Sequence, residues 1–279
     1  MSEAISARQC STSDTRANRS LQGRVALLTG STGGLGFAMA EGLAQAGCSV
    51  MLNGIEAPDA IESKRDELEQ RSGVRVAYHQ ASVAEVSGVE GLVRAALAQF
   101  GAIDVLVNNA VVRHFSPVVD FPTEHWDAAL AVNLSAAFHA IRLALPHMRK
   151  RNFGRIFNMT SVYGLRATIN RVDYVTTKSA LLGLTRAVAL ENLDYDVTCH
   201  GICPGSVLTP GTEGRVHQLM ADEDLLREAA ERLFLRGKQP GGRFIPVQSV
   251  TDLLIFLCGP IARDMTGAIL PVEAGWLAS

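Results

Sequence analysis

Short apolar runs alternate along this chain with longer segments of helical periodicity. We predict strands over seven apolar runs, at residues 25–29, 49–53, 74–79, 105–108, 154–159, 197–203 and 268–272. Helices are predicted over 37–47, 59–71, 86–100, 123–139 with a continuation or restart over 136–151, 173–193 and 247–258. Strands that alternate with helices are typical of a parallel sheet covered on both faces. The pattern therefore predicts an α/β fold.

Two segments depart from this alternation. About forty residues between Pro204 and Pro246 contain one predicted helix, at 222–234, flanked by glycines. Such a segment is often a lid or binding loop, and we place a lid at about 207–245; a surface decoration is the alternative. Residues 1–22 are polar with little apolar content, which predicts a disordered tail before a domain over 23–279.

Composition excludes several classes of protein. Hydrophobic residues make up 47% of the 279 residues, enough for a substantial core. The 26 Lys and Arg nearly balance the 28 Asp and Glu, and no basic run occurs, so we expect no nucleic-acid partner. No uninterrupted apolar stretch is long enough to predict a membrane span. Five scattered cysteines predict neither a disulfide framework nor a metal site, and a reducing cytoplasm fits best.

A glycine-rich turn follows the first predicted strand. Gly30, Gly33, Gly34 and Gly36 stand between that strand and a helical pattern. Glycines let the backbone approach a pyrophosphate closely, and a helix N-terminus favours its negative charge. The strand–turn–helix context predicts a dinucleotide-binding site.

A second motif carries proton chemistry. Tyr174 and Lys178 are four residues apart, so on a helix they share one face. Ser161 lies thirteen residues earlier, after a predicted strand. A phenol has an ordinary pKa near ~10, and a neighbouring cation lowers that pKa and favours the phenolate. The three side chains would form a proton-transfer site, although a Tyr/Lys pair at this spacing also occurs by chance.

Together with Asn108-Asn-Ala110, Asn133 and Pro204-Gly-Ser-Val-Leu-Thr209, these motifs resemble the short-chain dehydrogenase/reductases from about Gln22 to the C-terminus. The resemblance implies a single Rossmann-type, doubly wound domain with seven parallel strands. It also implies a homotetramer built through the helix that carries Tyr174 and its neighbour. That helix is rich in apolar residues, which is consistent with burial on more than one face.

The resemblance implies specific roles. Tyr174 would be the general base in alcohol oxidation and the acid in ketone reduction, with Lys178 holding the nicotinamide ribose. Ser161 would hydrogen-bond the substrate oxygen and Asn133 would hold a water of the proton relay. Residues expected to bind the cofactor are Gly30, Thr32, Gly34, Leu35, Gly36, Asn53, Ser82, Val83, Asn109, Ala110, Tyr174, Lys178, Pro204, Gly205, Val207 and Thr209.

The cofactor is expected to be NAD, with NADP less favoured. NADP-binding sites need a cation at the 2′-phosphate. The second strand ends at Asn53, and no Lys or Arg follows until Lys64. Asn53 can still hydrogen-bond a ribose hydroxyl.

Within the family, segments such as Leu52-Asn-Gly54, Asn152-Phe-Gly-Arg-Ile156 and Gly275-Trp-Leu-Ala278 resemble those of bacterial D-3-hydroxybutyrate dehydrogenases. The residues that hold the substrate in those enzymes differ: Arg113 replaces a Gln, Tyr163 a His, Arg171 a Lys and Glu213 a Gln of the lid. Two arginines at one end of a pocket favour a small anionic substrate. Alternatively, Arg113 and Arg171 are solvated surface residues and Tyr163 packs under the lid.

The expected function is therefore NAD-dependent interconversion of a secondary alcohol and a ketone, on a small anionic hydroxy acid. Two alternatives stay open: a dehydrogenase or reductase for another hydroxy or keto compound, and a catalytically silent dinucleotide-binding regulator on the same fold.

Overall fold

The computed structural model describes residues 19–279. Most of the predicted tail, residues 1–18, lies outside the described residues. The end of the tail was placed too late, because Leu21 is buried and its backbone N–H donates to the Ala46 carbonyl at 2.9 Å. The folded domain therefore begins before residue 23.

Seven parallel strands form one sheet. The strands are β1 Val25–Leu28, β2 Ser49–Gly54, β3 Val76–Gln80, β4 Val105–Asn108, β5 Gly154–Met159, β6 Val197–Pro204 and β7 Ile269–Val272. Their order in the sheet is β3-β2-β1-β4-β5-β6-β7. The chain moves outward in opposite directions from β1 and β4, and ligands of such sheets bind at the carboxyl ends near that switch. The predicted strands and the predicted α/β class are confirmed.

Helices cover both faces of the sheet. They are α1 Gly34–Gln45, α2 Pro58–Ser72, α3 Val86–Phe100, α4 Thr123–Leu130, α5 Ala136–Arg151, α6 Val172–Leu190, α7 Pro210–Asp222, α8 Arg227–Leu235 and α9 Val247–Phe256. One apolar core packs α1 and α9 against the sheet, through Met39, Leu43 and Leu254. A second core packs α3 and α5 on the opposite face, through Leu92 and Ile141. The two cores make the sheet doubly wound.

A π-helical turn at Ala131–Ser135 joins α4 to α5. The joined run Thr123–Arg151 is long and apolar enough to cross a membrane by length and composition. However, α5 packs against α3, β4 and β5 as a core helix does. We therefore interpret this run as part of the domain core.

The lid contains two helices, α7 and α8, where one was predicted. The prediction missed α7 because Pro210, Gly211 and Gly214 resemble loop residues. Proline is favoured at the first helical position, and the Thr209 hydroxyl caps the helix by accepting from the Thr212 N–H at 3.3 Å. The lid is therefore mostly helical.

Candidate active site

A cavity of about 1030 Å³ opens where the strands end. At one end it is bordered by the glycine-rich turn after β1, and at the other by the lid. Its middle is lined by Ser161, Tyr174 and Lys178. A single cavity therefore joins the predicted dinucleotide site to the predicted proton-transfer site.

The glycine-rich turn is packed closely at Gly30 and Gly36, where any side chain is excluded. A Cβ on Gly30 would lie 2.8 Å from Ala110 Cα, and one on Gly36 would lie 2.3 Å from the Gly30 carbonyl oxygen. The Asn109 amide donates to the carbonyls of Thr29 and Gly30, at 3.1 and 2.7 Å. Asn109 thus holds the turn against the end of β4.

The cavity fits a nicotinamide dinucleotide at this end. Gly34 has a φ of +54° and no atom within 4 Å of where its Cβ would be, so its backbone faces open space at the start of α1. Such a turn before a helix is a binding site for a pyrophosphate. Every residue predicted to bind the cofactor lines this cavity, from Gly30 to Thr209. Contact of each of them with a cofactor stays a prediction.

Asn53 does not offer its side-chain N–H groups to a ribose. Its amide donates to the carbonyls of His79 and Ala81, at 3.2 and 3.0 Å, and its Oδ1 accepts from the Gly30 N–H at 3.3 Å. Asn53 therefore joins β2, β3 and the glycine-rich turn. It also lines the cavity, and its predicted hydrogen bond to a ribose hydroxyl stays a prediction. The sequence gave no indication of these contacts, because all three partners are backbone groups distant in the chain.

Glu56 is the acidic side chain that borders this part of the cavity. It is exposed, and its Oε1 accepts from the Thr32 hydroxyl at 2.8 Å. Lys64 donates to the Thr32 carbonyl at 2.8 Å and its ammonium lies over the Phe37 ring at 4.8 Å. A carboxylate, rather than a free cation, therefore lines the end where the adenosine ribose is expected.

The proton-transfer residues are buried together. Lys178 Nζ lies 5.6 Å from the centre of the Tyr174 ring and donates to the Met159 carbonyl at 2.6 Å. Ser161, at the end of β5, accepts from the Tyr163 N–H at 3.2 Å. Burial fixes the ammonium, the phenol and the hydroxyl at one place on the cavity wall.

The pKa of Tyr174 is lowered from its ordinary value. Burial by itself raises this pKa, but the charges of Lys178, Arg113 and Arg171 lower it, and so does a hydrogen bond to Ser161. These effects together outweigh burial. Burial lowers the pKa of Lys178, and the charge of Tyr174 opposes that change. The site therefore favours a phenolate at a lower pH than free tyrosine does.

Asn133 lies in the π-helical turn and is buried. Its Oδ1 accepts from the Val112 N–H at 2.8 Å, and its amide nitrogen donates to the Val112 carbonyl and the Thr177 hydroxyl, at 3.1 and 3.3 Å. The neighbouring Val132, rather than Asn133, lines the cavity. The side chain thus joins the segment after β4 to α6, and its predicted hold on a relay water stays a prediction.

Two arginines stand beside Tyr174, as predicted. The guanidinium carbon of Arg171 lies 4.5 Å from the centre of the Tyr174 ring, and that of Arg113 lies 5.6 Å from it. Arg171 is 9% exposed, so it is not a solvated surface residue, and its Nε has no hydrogen-bond partner among the described residues. Burial lowers the pKa of Arg171, and the charge of Tyr174 opposes this. Arg113 is exposed but lines the cavity.

Tyr163 both lines the cavity and packs beneath its rim. Its ring makes edge contacts with Tyr174 and Trp276, with centroids 6.4 and 5.3 Å apart. Tyr163 can therefore both pack beneath the lid and face a substrate.

Glu213 does not face the cavity, contrary to its predicted role. Its Oε2 accepts from Arg227 on α8 at 2.9 Å, and His217 lies 3.4 Å from its Oε1. An exposed ion pair within the lid satisfies this carboxylate. Sequence spacing could not reveal the pairing, because Arg227 belongs to a different helix.

The lid contributes two cations that the sequence interpretation missed, Arg215 of α7 and Lys238 after α8. Arg215 lies 5.2 Å from the centre of the Phe115 ring, and Lys238 Nζ lies 3.8 Å from that of Phe234. No periodicity marks isolated cations in a lid, so only the fold brings them to the cavity.

The part of the chain that the structure describes shows no metal-binding cluster. No group of three or more His, Cys, Asp or Glu side chains there could hold a metal ion. Cys199 and Cys203 are buried free thiols, and burial raises the pKa of each. Both pack in the core, as their positions on β6 predict.

Comparison with known proteins supports one interpretation. The family model described as "short chain dehydrogenase" matches residues 24–219. The D-beta-hydroxybutyrate dehydrogenases of Cupriavidus necator and Rhizobium meliloti are each 40% identical to the chain, over 92% and 91% of its length and 99% of theirs. A solved structure of L-sorbose reductase from Gluconobacter frateurii, complexed with NADPH and L-sorbose, superposes with a TM-score of 0.88 at 28% identity, over 92% of this chain and 98% of that one.

Proposed function

The chain belongs to the short-chain dehydrogenase family, and we propose that it is an NAD-dependent oxidoreductase that interconverts a small anionic hydroxy acid and its keto form. The resemblance predicted from the motifs, including that to the hydroxybutyrate dehydrogenases, is confirmed. Membership establishes an oxidoreductase with a nicotinamide dinucleotide. The choice of NAD and the substrate class are our proposal.

The observation that carries the proposal is the buried cluster of Ser161, Tyr174 and Lys178 in the same cavity as the glycine-rich turn. A nicotinamide dinucleotide bound there would supply or accept the hydride. Ser161 would then hydrogen-bond the substrate oxygen, and Tyr174 would take the hydroxyl proton in oxidation or return it in reduction. Lys178 keeps the pKa of Tyr174 low enough for this exchange.

An anionic substrate is supported by the charges beside Tyr174. Arg113 and Arg171 form no ion pair with any described residue. A buried guanidinium such as that of Arg171 is costly without an anion, and the planar shape of both groups matches a carboxylate. Both relatives at 40% identity are named for a hydroxy carboxylate. 3-Hydroxybutyrate is therefore the first candidate, although the altered side chains favour a different hydroxy acid of the same class.

NAD is supported by the charge at the adenosine end. Glu56 would stand near a 2′-phosphate and repel it, while a ribose hydroxyl could donate to its carboxylate. Lys64 is directed to the Thr32 carbonyl and does not line the cavity. Glu56 therefore adds a repulsive charge to the absence of a cation from which the sequence predicts NAD.

We further propose that the protein works as a homotetramer in the cytoplasm. On α6, Leu181, Leu182 and Val188 are buried within one subunit, whereas Val175 and Leu184 are only half-buried. Its outer side instead combines small residues, such as Gly183, with Leu190, which is 69% exposed. Small side chains on this side of the helix permit close approach of a second subunit.

The direct test is a substrate screen by absorbance of the reduced cofactor. Purified protein is mixed with NAD or NADP and a panel of small hydroxy acids, their amides and uncharged alcohols. We expect reduction of NAD with at least one hydroxy acid and none with the matching amide. Turnover restricted to uncharged alcohols would refute the anionic substrate, and dinucleotide binding without turnover of any compound would refute the enzyme.

A further inference from the structure

The lid end of the cavity contains more positive charge than one carboxylate needs. Arg113 lies in the segment after β4 and Arg171 directly before α6, whereas Arg215 and Lys238 come from the lid. All four line the same cavity. None of the four forms an ion pair or a side-chain hydrogen bond with any residue in the range 19–279.

Aromatic rings show how close three of these cations lie, since Arg113 and Arg171 both contact Tyr174, and Arg171 and Arg215 both contact Phe115. The guanidinium carbons of Arg171 and Arg215 lie 4.2 and 5.2 Å from the centre of the Phe115 ring, so their separation cannot exceed the sum of those distances. The pKa of Lys238 is lowered first by burial and then by the charges of Arg215 and Arg171. Arg113 and Arg171 of the cavity wall and the two lid cations therefore belong to one positive region.

No carboxylate among the described residues forms an ion pair with these four cations. Asp173 is the acid nearest in sequence to Arg171, but it accepts from the Tyr174 N–H at 2.6 Å and pairs with His114 at 2.9 Å. Glu213 is paired with Arg227. Glu56, the one acidic residue of the cavity lining, lies at the opposite, adenosine end. The aromatic rings supply the nearest electron-rich groups, and such contacts do not cancel a full charge.

We propose that the substrate carries two anionic groups and that Arg215 and Lys238 of the lid bind the second one. This inference rests on the proposed function for the first group, which Arg113 and Arg171 hold beside the reacting oxygen. The two lid cations would take a second carboxylate or a phosphate, because both present oxygens to guanidinium and ammonium donors. Binding of that group would also draw α7 and the end of α8 toward the cavity wall.

Binding can be tested without any turnover. We suggest calorimetric titration of the full chain, with and without NAD, using the unreactive pair glutarate and butyrate. Hydrogen bonds to charged groups imply that glutarate binds roughly tenfold or more tightly than butyrate. Arg215→Gln and Lys238→Gln should remove most of this difference while leaving butyrate binding nearly unchanged. Equal affinities for glutarate and butyrate in the unaltered protein would overturn the proposal.

Arg236→Gln is the matched control. Arg236 is an exposed lid cation two residues from Lys238 that borders a neighbouring hollow with the C-terminal Ser279, and it does not line the main cavity. It should retain the preference for glutarate. If the Arg236 variant loses that preference to the same extent as the Lys238 variant, glutarate binding depends on the overall charge of the lid rather than on a defined site. That result would contradict the proposal.

Turnover separates this inference from the proposed function. The substrates are 3-hydroxybutyrate, 3-hydroxyhexanoate as a longer monoanion, 3-hydroxyglutarate and 3-hydroxy-4-phosphooxybutanoate. We expect the highest kcat/KM for one of the last two compounds, each of which carries two anionic groups, and the better of the two distinguishes a second carboxylate from a phosphate. If a compound with one anionic group is oxidised as well as both of these, the second anionic group is overturned while the proposed function is preserved. If no hydroxy acid is oxidised, the proposed function is wrong, whereas preferential glutarate binding would still support a lid site for a second anionic group.

Discussion

Lys178 holds its ammonium 5.6 Å from the centre of the Tyr174 ring, one helical turn away on α6. Both side chains are buried, so their mutual effect is not screened by solvent as it would be at a surface. The Met159 carbonyl accepts from the ammonium and fixes its position. The charge of Lys178 thus contributes to lowering the pKa of Tyr174 from its ordinary value.

The pH dependence of oxidation should follow the charges around Tyr174. Arg113 lowers the pKa of Tyr174, so Arg113→Gln should raise that pKa. A higher pKa means that less phenolate is present at a given pH. The acidic limb of the kcat profile for alcohol oxidation should therefore move to higher pH, measured at saturating substrate. A limb that stays in place or moves to lower pH would contradict the charge coupling.

The substrate arginines should contribute binding energy to the transition state. Replacing Arg113 or Arg171 by Ala should lower kcat/KM for the preferred hydroxy acid by about 1.5–3 kcal/mol, the range for a hydrogen bond to a charged group. Arg232 is a suitable control, since it is exposed, pairs with Glu228 on the lid and does not line the cavity. Steady-state kinetics should show Arg232→Ala unchanged. Full activity in both cavity variants would rule out the anionic substrate.

Cofactor choice should depend on Glu56. We expect kcat/KM for NAD to exceed that for NADP. Glu56→Gln removes the charge facing a 2′-phosphate but keeps an acceptor for the ribose, so it should raise kcat/KM for NADP with little change for NAD. Lys64→Ala serves as the comparison, because Lys64 does not line the cavity. A greater kcat/KM for NADP than for NAD in the unaltered protein would refute the assignment.

Assembly can be measured directly by light scattering. We expect the mass of a homotetramer at micromolar concentration. Leu190→Glu places a charge on an exposed apolar position of α6 and should weaken the assembly. A stable monomer of the unaltered protein would contradict the proposed tetramer.

Much of the fold follows from local patterns. The apolar strand runs and the glycine turn determine the parallel sheet and its binding edge, because each is recognisable within a few residues. The spacing of Tyr174 and Lys178 similarly identifies one helical face. By contrast, α7 was missed because a proline and two glycines resemble a loop, although proline suits its first turn.

Side-chain partners were less predictable, since they depend on contacts between distant segments. The Asn53 amide donates to the backbone carbonyls of His79 in β3 and Ala81 just after it. The Glu213 carboxylate pairs with Arg227 of a second lid helix. Arg215 and Lys238 reach the cavity only because the lid folds over it. A resemblance to a family predicts which sequence positions belong to the site, whereas the direction of each side chain depends on the packed structure.

The most direct test of the account is the turnover of Tyr174→Phe with NAD and the best hydroxy acid from the screen. Phenylalanine keeps the ring and its packing against Tyr163 but removes the group that exchanges the proton. We predict that kcat falls by at least ~10²-fold, the low end for loss of an acid–base group, while NAD binding measured by calorimetry is largely retained. Near-unaltered kcat in this variant would contradict proton transfer through Tyr174.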